Sequence, residues 1–193
     1  MKGVGLIVLI AAVIIGFMGC NGYNSLVQED VNVKKAWTNV EAEYQKRNDL
    51  VDNLVNTVKG AANFEQKTLT DVINARSNAT KVNVSAENLS SENIAKFQAA
   101  QGEVSSTLSR LLAVVESYPE LKATANFTQL QGQLEGIEND IRSSRKTFND
   151  AVGNYNLKVR KFPMNMLGGI FGFKEKDGFK ADEGADKAPK VQF

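Results

Sequence analysis

Apolar side chains recur in alternating steps of four and three from Val33 through Trp37, Val40 and Tyr44, and again from Val51 through Leu54, Val58 and Ala61. That spacing keeps one stripe of a helix apolar over about four heptads and fits neither a strand nor a loop. Proline distribution agrees, because none of the three prolines lies between Met1 and Tyr118. The spacing predicts a first helix that starts near Ser25 and continues through Leu69, Val72 and Ile73 to about Asn78. Such a helix would be roughly 80 Å long, and Gly60 is its weak point.

Positions 80–91 are mostly Ser, Asn, Val and Glu without helical period, so a loop is expected, closed by Ser90 or Ser91 as N-cap ahead of Glu92. A second helix then carries Ile94, Phe97, Gln101, Val104, Leu108, Leu111 and Val115 on its seam and ends before Tyr118-Pro119. After a break near Thr124 to Asn126, a third carries Phe127, Leu130, Leu134, Ile137, Ile141, Phe148, Ala151 and Tyr155 inward and stops before Phe162-Pro163. Short connections force neighbouring helices to run antiparallel, and near-regular heptads favour shallow crossing angles. The expected fold is all-α: an antiparallel up-and-down bundle of three to four long helices with an N-terminal membrane anchor, the fourth helix arising if the first one breaks.

The anchor is expected in residues 1–22. Gly3 to Gly19 contains no charged or strongly polar side chain, and as a helix it would span roughly 26 Å, marginally enough for a bilayer. Following Lys2 and the amino terminus, the same run also reads as a secretory signal. Cys20, the only cysteine, stands where a lipoprotein signal carries its acylated residue, although Phe17-Met18-Gly19 is a loose match to such a signal. It is either a lipidation site or a small apolar residue at the end of an uncleaved helix. A lone cysteine makes no intramolecular disulfide, so packing must hold the bundle. Lys2 before the run, with Glu29 and Asp30 as the first charges after it, favours a cytoplasmic N-terminus and a bulk on the non-cytoplasmic side; Lys34 and Lys35 weaken that bias.

The bundle is expected over residues 23–162. Residues 163–193 have no core-forming period and read as a partly ordered extension. Its Phe171, Phe173, Phe179 and Phe193 either dock on the bundle or touch a partner or the membrane.

A formal net charge of +1 with interspersed signs gives no field for nucleic acid, which is not an expected partner. Lys158, Arg160 and Lys161 complement the dipole at a helix end. With no histidine in the chain, His-based acid-base catalysis, Cys-His nucleophiles and the usual zinc sets are excluded. No phosphate-binding glycine loop lies between a strand and a helix. Glu135 and Glu138 share a helix face near Asp140, but bundle di-metal sites pair carboxylates with histidine, so no metal and no cofactor is expected. Trp37, Tyr44, Tyr118, Phe148 and Tyr155 sit at helical spacing and read as packing.

Arg47 occupies a seam position between Tyr44 and Val51, where the heptad calls for an apolar side chain. A seam cation needs a partner, and Glu135 and Glu138 are the candidates, with Asn53, Asn139 and Asn149 able to extend the network. Such a network either fixes helix register or marks a functional site.

Several separated motifs resemble the LemA family over nearly the whole chain. They are Tyr23-Asn24-Ser25-Leu26-Val27, the run Gln45-Lys46-Arg47-Asn48-Asp49-Leu50-Val51 continuing through Asn53-Leu54-Val55, and Tyr118-Pro119-Glu120-Leu121. Further along stand Leu134-Glu135-Gly136-Ile137-Glu138-Asn139-Asp140-Ile141, then Arg145, Phe148-Asn149, Tyr155-Asn156, Phe162-Pro163 and Gly172-Phe173. Asp52 departs from the pattern, which commonly has proline there, as does Asn63-Phe64, where members often have histidine. The resemblance implies a membrane-anchored bundle with no established enzymatic activity. It also implies that Arg47, Asp49, Asn53, Glu138, Asn139, Arg145, Asn149 and Asn156 belong to one network.

The functional expectation is a bacterial envelope scaffold or adaptor, bound to the membrane and to an unknown envelope protein, without catalysis. The alternative is a small-ligand or ion-binding protein built on Arg47 and Glu138, and a third reading is a homo-oligomer paired through exposed heptad residues.

Overall fold

The computed structural model describes residues 2–60 and 64–181, and for most positions between 2 and 18 the description extends to the backbone alone. Ala61 and Phe193 lie outside the described residues. Six helices and no strand occur among them: α1 (Lys2–Lys59), α2 (Gln66–Lys81), α3 (Ser91–Val115), α4 (Pro119–Lys122), α5 (Ala125–Arg160) and α6 (Met164–Leu167).

The expected first helix is two. α1 ends at Lys59, and α2 begins at Gln66 and runs to Lys81, beyond the expected Asn78. Gly60 supplies the break, since glycine disfavours helix by about 1 kcal/mol relative to alanine. Leu69, Val72, Ala75 and Ala79 of α2 are buried while Ile73 is exposed, so the apolar stripe keeps its heptad phase across the break. At the other end, α1 continues without interruption from Lys2 into the bundle instead of starting near Ser25.

Caps set the remaining boundaries. Ser90 Oγ accepts a hydrogen bond from the Asn93 amide and Thr124 Oγ1 from the Phe127 amide, each satisfying an N–H that the first turn leaves free. Pro119 sits in the first turn of α4, where a missing N–H costs nothing. The helices pack in two apolar clusters. The first gathers Val51, Leu54 and Val58 of α1 with Leu69 and Val72 of α2, Val104, Leu108 and Leu111 of α3, and Phe127 and Leu134 of α5. The second, nearer the N-terminal end of α1, gathers Leu26, Val33, Trp37, Val40 and Tyr44 with Ile94 and Phe97 of α3 and Ile141, Phe148, Val152 and Tyr155 of α5. α1 and α5 run in opposite directions, because Glu29 meets Lys158, Trp37 meets Phe148 and Arg47 meets Glu138.

α2 has 16 residues, roughly 24 Å, and covers only the first cluster. In the second, Val84 of the α2–α3 connection and Phe179 of the C-terminal segment take up the space. Trp37 organises this region: its Nε1 donates to the Val84 carbonyl at 2.7 Å, and its ring meets Phe97, Phe148 and Phe179 at centroid distances of 5.2, 5.2 and 5.7 Å.

Beyond α5 the chain turns at Phe162-Pro163, and α6 lies against α1 close to the end of its apolar run. A Cβ at Gly22 would stand 2.5 Å from Met164 Sδ, so glycine lets the two segments approach there, whereas one at Gly19 would stand at ordinary contact distance, 3.7 Å, from Leu167 Cδ1. Tyr23 packs edge-on against Phe171 and Phe173 at 5.3 and 5.5 Å. Among the described residues no helix is long and apolar enough to cross a membrane; most side chains between positions 2 and 18 lie outside that description.

Candidate functional site

Arg47 lies between the two apolar clusters. α1 presents it at a seam position, so the bundle must bury its guanidinium, which is 1% exposed. Nη1 donates to Ser105 Oγ at 2.6 Å and to Glu138 Oε1 at 3.1 Å, and Nη2 donates to the side-chain and main-chain oxygens of Gln101 at 2.6 and 3.0 Å. Tyr44 lies beneath it, 4.9 Å from ring centroid to guanidinium carbon. One buried cation thus ties α1 to α3 and α5, with charge compensation from Glu138 and hydrogen bonds that offset much of its desolvation. Arg47 Nε and the neighbouring Asn48 Oδ1 are buried without a hydrogen-bond partner among the described residues.

The candidate residues divide into groups. Arg47 and Glu138 meet. Asp49 is exposed and accepts from Gln45, Asn53 and Glu135 are exposed, and Asn139 is exposed and accepts from Arg142. None of these four joins Arg47, because each projects from the solvent side of its helix. Gln101 and Ser105 complete the layer and were not anticipated. The available signal was Gln101 itself, a second polar residue on an otherwise apolar seam.

Arg145, Asn149 and Asn156 form a different assembly on α5. Asn149 accepts from the Phe179 amide at 2.8 Å and donates to the Phe179 carbonyl at 3.1 Å, while Asn156 does the same to Lys176 at 2.9 and 2.8 Å. Each carboxamide engages both main-chain groups of one residue, as a neighbouring strand would. The Lys180 carbonyl accepts from both Arg145 on α5 and Gln98 on α3, so the segment bridges those helices. Arg145 also covers the Phe179 ring at 4.8 Å.

Of the phenylalanines considered for partner contact, Phe179 is buried in the protein's own core, Phe173 is half-buried and Phe171 is exposed. A Cβ at Gly178 would stand 2.6 Å from Asn149 Oδ1, which explains glycine beside the clamp. Lys176 pairs with Asp30 at 3.0 Å, and Lys34 pairs with the same carboxylate at 3.3 Å. Burial pushes the Asp30 carboxyl up, but hydrogen bonds and charge from Lys176 and Lys34 outweigh it and hold the group below the usual carboxylate range. The hydrogen bond from Lys158 lowers Glu29 likewise, whereas burial raises Glu41.

Two grooves bear on binding. One of about 360 Å³ is bordered by Ser105, Leu108, Leu134, Glu135, Glu138 and Arg142; Arg47 is not on its wall. The other, about 970 Å³, lies at the turn end of α1 among Thr57, Ser117, Tyr118, Pro119 and Leu121. No cluster of three or more His, Cys, Asp or Glu side chains suited to a metal occurs among the described residues. Cys20 is exposed.

Comparison with known proteins places this arrangement. The chain is 27% identical over 183 residues to magnetosome protein MamQ 2 of Paramagnetospirillum magneticum, covering 85% of this chain and 66% of that protein, just under two thirds. Magnetosome protein MamQ of Magnetospirillum gryphiswaldense matches with the same identity and coverage. Protein LemA of Metamycoplasma hominis is 22% identical over 144 residues, 75% of this chain and 62% of that one. The LemA family model matches residues 36–193, which take in both the Arg47 layer and the clamped C-terminal segment, and the chain belongs to the LemA family.

Proposed function

We propose that this protein is a membrane-anchored envelope scaffold or adaptor that holds an antiparallel up-and-down bundle at the bilayer and binds another envelope protein through a bundle face, without catalysis. The chief support is the continuity of α1. The uncharged run Gly3 to Gly19 and the bundle's first seam belong to one helix, so an anchor there mounts the bundle rigidly. Family membership, and relatives named as magnetosome proteins, support association with a membrane. Lys2 on one side of the run and Glu29 and Asp30 on the other favour a bulk on the non-cytoplasmic side, a bias that Lys34 and Lys35 weaken.

Phe179 and Phe173 are engaged with the protein itself, so the groove around Tyr118 and Pro119 is the better partner face. Photo-crosslinking in intact cells tests this. A crosslinker at Ser117 should trap one discrete protein, and the same group at Asp150 on α5 should not. No adduct from Ser117, in protein that resists carbonate extraction, would overturn the adaptor reading while leaving the anchor in place.

The small-ligand or ion reading rests on the groove beside Glu138. Arg47, turned into protein partners, has no access to it. A rise in Tm with calcium that Glu138→Gln abolishes would revive that reading; an unchanged Tm removes it for that ion.

A further inference from the structure

α6 and its flanks leave a group of large apolar side chains in solvent. Phe162 is 72% exposed, Met166 69%, Ile170 78% and Phe171 49%. The turn buries Met164 and seats Leu167 on α1, yet leaves Phe162, Met166 and Ile170 largely in solvent and Phe171 only half covered, by Tyr23. A monomeric surface rarely concentrates such residues without a partner.

Their position identifies the partner. Leu167 contacts α1 at Gly19 and Met164 contacts it at Gly22, so the segment is level with the last residue of the uncharged run and within about one 5.4 Å turn of it. Phe171 rests on Tyr23, the first aromatic residue after that run. Leu9, Val13 and Phe17, within the uncharged run of α1, are exposed as well. Exposed Lys161 and Lys174 flank the segment, with Arg160 3.7 Å from Glu175 at its edge.

We propose that residues 162–171 form a second membrane contact, a collar whose Phe162, Met166, Ile170 and Phe171 enter the lipid interface while Lys161 and Lys174 meet anionic headgroups. Interfacial segments of this composition bury their apolar face about 5–10 Å into the headgroup–acyl boundary, and aromatic rings favour that depth. The collar rests on the anchor reading, because the apolar run is what sets the bilayer's level. Together they hold the bundle at two points, so that it cannot swivel freely about α1.

Single tryptophans report the depth of each part. The native Trp37 is buried in the protein core, roughly 27 Å along α1 from Gly19, and gives a constant background. Full-length Ile170→Trp and Val13→Trp variants are reconstituted in vesicles of phosphatidylcholine and phosphatidylglycerol, with bromines either shallow or deep on the phosphatidylcholine acyl chains. At position 170 the added emission should be blue-shifted and largely lost to shallow bromines, and at position 13 it should be lost chiefly to deep ones. Unquenched emission at 170 with quenching at 13 overturns the collar and leaves the anchor standing. Quenching at 170 alone removes the anchor and overturns the collar as a second contact beside it, and no quenching at either removes both.

Discussion

At Arg47 a charge and an apolar seam are in direct conflict, and the bundle resolves it by giving both terminal nitrogens of the guanidinium protein acceptors, with Nε left unpaired among the described residues. Nη1 and Nη2 each find two acceptors on α3 and α5. Lysine at this position would keep the charge but lose the planar geometry that reaches those acceptors together. Glu138→Gln should therefore lower stability by about 1–3 kcal/mol, measured by denaturant unfolding. Arg47→Met combined with Glu138→Gln should cost less than the sum of the single changes, since the two residues share one interaction. Additive effects would show that Glu138 does not compensate the cation. The conflict at Arg47 was legible in the sequence, because an interrupted heptad is visible without coordinates. Its partners were legible only in part. Glu138 lies on the inward side of α5, but Asp49, Asn53 and Asn139 are separated from Arg47 by helix phase, which motif proximity does not reveal.

Among the elements, the segment after α6 is the one periodicity could not find. Residues 174–181 form no helix and no paired strand; their order comes from carboxamides one heptad apart on α5 and from Phe179 against Trp37. Side chains on a helix thus replace the ladder that a strand would need, and a sequence reading that looks for repeats in the segment itself finds none. Gly178→Ala should force Asn149 away from Phe179 and speed tryptic cleavage after Lys176 and Lys180, leaving the helical circular dichroism unchanged. Phe179→Ala should cost about 3 kcal/mol, as for other large-to-small changes in a core. Wild-type proteolysis rates in both variants would mean that the clamp contributes nothing to the order of this segment. The break between α1 and α2 was foreseeable at Gly60, but the apolar spacing on either side of it is compatible with one helix, so its position was clearer than its certainty.

For the whole molecule, the ion pairs that join the C-terminal segment and α5 to the base of α1 make stability depend on acid. Asp30 and Glu29 are held below their ordinary values, near 4, so their contribution is present at neutral pH. As pH falls below that value the unfolded chain takes up protons first and the contribution declines; it is gone once the folded carboxyls protonate. Asp30→Asn should lower stability by less than about 1 kcal/mol at pH 7, and the difference in Tm from wild type should vanish in strong acid. A difference that persists there would assign Asp30 a role other than its charge. Intact mass of the membrane-purified chain separates the two fates of Cys20: loss of the preceding residues with added acyl chains marks a lipoprotein, and an unprocessed mass marks a retained helix. In the retained form α1 is a lever with no hinge between its foot and the turn at Gly60. From Cys20 to Lys59 its arm is roughly 58 Å long, so a tilt of about 20°, ordinary for helices in bilayers, carries the far end about 20 Å sideways. A slight change in bilayer thickness at the base becomes a displacement at the tip several times larger, and whatever docks beside Tyr118 would feel the state of the lipid through the angle of one rod.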